Sequence, residues 1–240
     1  MAEPIQARAT QTQVVVNTFI RSVYNWMAVG LALTGVIAFY VAGVVENMIQ
    51  TNPAALRSIQ PIFFVLIIAE LGLVFYLSAR IQKIEATTAT ALFIIYAMLN
   101  GVTLSFIFIA YTAASIASTF FVCAATFGAC SVYGMVTKKD LTSVGQFMFM
   151  GLIGIIIASV VNIFLRSPAM NMIISYIGVF VFVGLTAYDT QKLKHMALTQ
   201  PEGLDAAVAR KGAIMGALTL YLDFINMFLF LLRILGASRD

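Results

Sequence analysis

The chain has 240 residues, 61% of them hydrophobic and only 10% charged, with two cysteines and a formal net charge of +4. Soluble domains average roughly 45–50% apolar and about 25% charged residues, so this composition excludes an ordinary soluble enzyme, a disordered chain and a disulfide scaffold. The small positive balance is no nucleic-acid footprint, and its information lies in where the 14 Lys and Arg residues sit.

Residues 1–20 read as a polar, poorly ordered tail, and 21–240 as a single seven-helix membrane domain. A hydrocarbon core of ~30 Å asks for roughly 20 apolar residues per helix. Seven stretches qualify in chain order: Trp26–Val45, Pro61–Ser78, Ala86–Ala110, Ser115–Val136, Gly145–Leu165, Met170–Asp189 and Gly212–Leu235. Their apolar residues run continuously and do not alternate, which argues against a β-barrel. Asn52-Pro53, Gln60-Pro61, Ser167-Pro168 and Gln200-Pro201 punctuate the boundaries, and Thr190–Lys211 is the one long connection. The first stretch is too long and too far from the start for a cleaved signal peptide, so it reads as a retained helix. With the N-terminus inside, the cytoplasmic side holds Arg8, Arg21, Arg80, Lys83, Lys138, Lys139, Lys192, Lys194, Arg210 and Lys211. The far side holds Arg57, Arg166, Arg233 and Arg239. That bias predicts a cytoplasmic-membrane protein with N-terminus in and C-terminus out.

Ionisable groups are costly at membrane depth and usually have a task and a partner there. Three acids fall within or at the edge of the spans: Glu70, Asp189 and Asp223. Arg80, at the mouth of the second span, matches Asp189 in depth. Thr219, Asp223, Asn226 and Arg233 share one stripe of about 80° on the last helix. If that helix started at Pro201-Glu202, a length of about 51 Å would carry Asp223 toward Asp189; the spacing permits the pair without compelling it. Two adjacent carboxyls in a dry site share a proton, and its loss turns an attractive bond into repulsion. The plain alternative is that the acids are helix-packing ion pairs.

Other chemistries lack their residues. Every lysine lies in a connection or at a helix end, which leaves no Schiff base for retinal. The single histidine, His195, cannot assemble a zinc site, so no cofactor and no metal of high affinity is expected. Cys123 and Cys130 are about 10 Å apart along one helix, beyond disulfide reach, and read as packing.

Three segments carry a resemblance: Phe19-Ile20-Arg21-Ser22-Val23-Tyr24, Gly184–Lys192 with Tyr188-Asp189-Thr190-Gln191, and Ala217–Asn226 with Tyr221-Leu222-Asp223, followed by Leu231–Gly236. With them the chain resembles the Bax inhibitor-1 (transmembrane Bax inhibitor motif) family, in its bacterial branch, over about residues 17–237. The resemblance implies six helices in two three-helix layers around a central seventh. It also implies a passive, pH-sensitive calcium leak with Asp189 and Asp223 as sensor, Arg80 as their basic partner, and Glu70 with Asn226 along the ion path. Calcium then enters only as the permeating ion, and the lipid bilayer is the constant partner. A membrane regulator of a membrane-bound protease, binding a protein partner without flux, is the alternative. An intramembrane aspartyl protease is remoter, because Tyr221-Leu222-Asp223 lacks the Gly-x-Gly-Asp element of the proteases it would be compared with. The protein is thus not expected to be an enzyme.

Overall fold

The computed structural model describes residues 3–52, 55–199 and 205–239, with side chains described from Val16 onward except at 55–58 and 60. It is all-helical: α1 Glu3–Thr51, α2 Ala55–Arg80, α3 Ala86–Ala110, α4 Ala113–Val136, α5 Thr142–Leu165, α6 Pro168–Leu198 and α7 Ala206–Leu235. All seven are long and apolar enough to cross a membrane. The described residues form two compact units. The first unit holds α1–α3 and the start of α7 through Leu218. The second holds α4–α6 and α7 from Thr219.

Four boundaries differ from the sequence reading. The helix that crosses at Trp26 extends back to Glu3, where the composition suggests a polar tail, and Val16, Phe19 and Val23 on it are buried. Pro61 lies inside α2 and not at its start. The third difference concerns the connection after Asp189. Helix α6 continues for nine residues to Leu198, because Gln191, Leu193 and Ala197 keep a buried stripe going while Lys192 and His195 face outward. Pro201, Glu202 and Gly203 lie outside the described residues. Asp205 is non-helical and α7 begins after it, with the Asp205 Oδ1 accepting the Ala207 N–H at 2.9 Å. The 30-residue α7 is therefore about 45 Å long, shorter than a helix from Glu202 would be.

In the first unit α1 packs on α3. The Thr34 hydroxyl donates to the Ala97 carbonyl at 2.9 Å, and a Cβ at Gly101 would meet the Thr34 carbonyl and the Ile37 Cβ at 2.8 Å. Helices this close have room only for a hydrogen at that point. The unit also records how α7 travels. Lys211, near its start, donates to the Gln82 carbonyl just past α2 at 3.2 Å. Past its end, Arg239 donates to the carbonyls of Ala110 and Phe108 at 3.0 Å each and pairs with Glu46 at 3.6 Å. Those partners sit at the C-terminal ends of α3 and α1, so Lys211 and Arg239 lie at opposite ends of α3.

In the second unit α5 and α6 form a tight helical hairpin. Arg166 takes the left-handed conformation at φ 51°, and the buried Asn162 side chain holds the turn. Its Oδ1 accepts the Ser167 N–H at 3.0 Å, while its amide donates to Asn171 Oδ1 at 2.7 Å. Ser167 then caps α6 by accepting the Met170 N–H at 3.3 Å, with Pro168 in the first turn where it displaces no helical bond. Helix α4 also packs on α6. A Cβ at Gly134 would strike the Ala187 carbonyl, and Thr190 donates to the Ser131 hydroxyl at 3.5 Å.

Candidate functional site

The second unit brings Asp189 of α6 and Asp223 of α7 together, and their side chains hydrogen-bond to each other. Asp223 is only 4% exposed, and Asp189 is half-buried. Local packing explains both positions. In the Asp189 turn of α6, Ala187 and Thr190 face Gly134 of α4, while the Tyr188 ring lies where a Cβ on Gly145 of α5 would stand. Asp223 is set by its neighbour Phe224, whose ring meets those of Phe120 and Phe127 edge-on at 5.5 Å each, and whose carbonyl accepts from Cys123 Sγ at 3.6 Å. Edge-to-face pairs of this kind contribute about 0.5–1.5 kcal/mol each beyond burial. Helix α7 is also the most enclosed of the seven: 67% of its spanning window is buried, against 39% or less for the others. On this helix Asp223 lies on a buried face.

The second oxygen of Asp223, Oδ2, is buried without a hydrogen-bond partner among the described residues. The cation acting on Asp189 is Lys192, three residues on along the same helix, whose ammonium lies 6.0 Å from the Tyr188 ring centre. The i, i+3 spacing is the signal that points to it, whereas matching depth points to Arg80. Arg80 ends α2 in the first unit, with its side chain exposed.

Glu70 belongs to the first unit and has a setting of its own. It is 9% exposed and accepts hydrogen bonds from the Thr103 hydroxyl at 2.8 Å and the Asn100 amide at 3.3 Å. The Asn100 amide also donates to the Tyr96 hydroxyl at 3.2 Å, and Asn100 Oδ1 is buried without a partner among the described residues. None of these three α3 residues stands out in the sequence, since single Asn, Thr and Tyr residues in an apolar run look like incidental packing. Asn226, in the second unit, turns its amide back onto the Leu222 carbonyl at 2.8 Å. Among the described residues no three His, Cys, Asp or Glu side chains gather as a metal site.

The chain matches the family model described as "Inhibitor of apoptosis-promoting Bax1" over residues 16–240. It belongs to the Bax inhibitor-1 family. Among its relatives is the inner membrane protein YbhL of Escherichia coli K12, 53% identical over 231 residues and 95% of each chain. An uncharacterized protein of Borreliella burgdorferi is 44% identical over 230 residues and 96% of each chain. An uncharacterized membrane protein of Streptococcus pyogenes is 37% identical over 230 residues, 95% of this chain and 96% of its own. Such near end-to-end matches fit one multi-pass membrane protein of the Bax inhibitor-1 family, and the matched region carries Glu70, Arg80, Asp189, Asp223 and Asn226 alike.

Proposed function

We propose that this Bax inhibitor-1 family protein is a pH-sensitive passive leak for calcium and related cations in the bacterial inner membrane, gated by Asp189 and Asp223. The observation that carries the reading is the hydrogen bond between two carboxyls on neighbouring spanning helices, one of them buried. Ionised carboxylates only accept hydrogen bonds, so that bond lasts while a proton lies between them. Losing the proton leaves two anions against each other in a site that water cannot reach freely, and the α6–α7 contact must then rearrange. Lys192 is the cation whose charge favours ionisation of the pair. Glu70 and Asn226 serve the ion path. The N-terminus is cytoplasmic on the charge bias of the connections. The protein needs no cofactor and catalyses no covalent reaction.

Calcium flux through proteoliposomes, followed from about pH 5 to pH 8, is the test. One titrating proton changes a population by up to about tenfold per pH unit, so the wild type should show a graded pH response. Asp189→Asn and Asp223→Asn should each flatten it, because an amide holds no titrating proton. Flux equal to that of empty vesicles throughout would reject the leak and favour a regulator that binds a membrane-protein partner.

A further inference from the structure

The second unit holds a cavity of about 760 Å³ between the α4–α5 connection and the last turns of α6, beyond the acidic pair. Lys138, Lys139, Lys192, Lys194 and His195 all line it. Against the four lysines stands one acid, Asp140, and its carboxylate is turned back onto Thr142: Oδ1 accepts the Thr142 N–H at 2.9 Å and the Thr142 hydroxyl at 2.6 Å. Lys192 is shared with Asp189, on which its charge acts. Among the described residues none of the four lysines makes a direct ion pair. The cavity therefore carries an excess of positive charge.

The walls are built. Gln191 clamps the connection to α6, accepting the Leu141 N–H at 2.9 Å and donating to the Lys139 carbonyl at 2.8 Å. Lys194 donates to the Met135 carbonyl in the last turn of α4 at 2.6 Å, which also satisfies a helix C-terminus. The exposed lysines are thus carried on a fixed frame. Val136 and Leu198, 67% and 44% exposed, line the same cavity. It opens where α4 ends and α5 begins, at the limit of the spanning segments, where headgroup phosphates lie.

We propose that this cavity is a binding site for a phosphate group, carried by an anionic phospholipid or by a soluble phosphate anion. Clustered ammonium groups bind phosphate oxygens as point charges. A phosphate among them removes their mutual repulsion, and exposed apolar residues beside them can receive the first acyl carbons of a lipid.

The test is thermal unfolding of the full chain in vesicles of phosphatidylcholine alone, in vesicles of phosphatidylcholine with phosphatidylglycerol, and in neutral detergent with added inorganic phosphate. A ligand that binds only the folded state raises Tm, so phosphatidylglycerol should raise it above phosphatidylcholine alone. The doubly substituted Lys138→Gln/Lys139→Gln chain should lose at least about half of that increment. Lys83→Gln, which removes a positive charge from the α2–α3 connection instead, should keep it. An increment with phosphatidylglycerol that the double substitution removes assigns the site to lipid. A shift seen only with inorganic phosphate, and removed by the same substitutions, assigns it to a soluble anion. No shift with either source, or one that survives the double substitution, overturns the site.

Discussion

Two buried acidic settings in this protein solve the same problem differently. Glu70 is met by neutral donors, the Thr103 hydroxyl and the Asn100 amide, which can serve a carboxylate without any proton on it. Asp223 is met by another carboxyl, Asp189, and its Oδ2 has no partner among the described residues. The first arrangement needs no proton to hold its hydrogen bonds, whereas the second holds together only while a proton is present. Buried acids in one membrane protein can therefore differ in whether their contacts require a proton.

The largest expected effect tests that contrast directly. In calcium flux across the same pH range, Asp189→Asn/Asp223→Asn should flatten the response no further than either single change, because both remove one shared proton. Additive losses would mean two independent acids. Glu70→Gln, by comparison, should alter the amount of flux and leave its pH dependence in place.

Two glycines sharpen the comparison through packing. Gly134→Ala and Gly101→Ala each push a Cβ into a neighbouring backbone carbonyl and should each cost about 1–3 kcal/mol in unfolding measurements. Only Gly134→Ala should also change the pH response, since the carbonyl it strikes belongs to Ala187, two residues before Asp189. A change of equal size from Gly101→Ala would show that the response reports general loosening.

Thr103→Val should cost about 1–3 kcal/mol by leaving a Glu70 oxygen unpaired, again with the pH response intact. The smallest effect is at the surface. The two bonds from Thr142 hold the Asp140 carboxyl below the usual aspartate range, the side-chain bond first. A depressed acid stabilises the fold above its unfolded pKa and loses that contribution as pH falls through its folded value. Asp140→Ala should thus lower Tm slightly at neutral pH, and the difference should vanish in strong acid.

Much of this architecture is written in composition and spacing. Seven apolar runs of spanning length dictate seven helices, since a backbone in lipid must satisfy its own hydrogen bonds. The three acids within those runs are conspicuous for the same reason: charge is rare there. Other features are hidden because they depend on helices far apart in sequence. Asn100 and Thr103 become significant only when α2 sets Glu70 against them. Lys192 is readable from its i, i+3 spacing, yet depth alone favours Arg80.

The sequence by itself determined how many helices cross and which acids are exceptional, because both follow from the cost of placing polar groups in hydrocarbon. Whether Asp189 meets Asp223 was decided by tertiary structure alone. The close approaches of Gly134 and Gly145 to the turn that carries Asp189 set α6 against α4 and α5, and the ring contacts of Phe224 set Asp223 beside them. Depth along a single helix constrains such a meeting, but only packing between helices can bring it about.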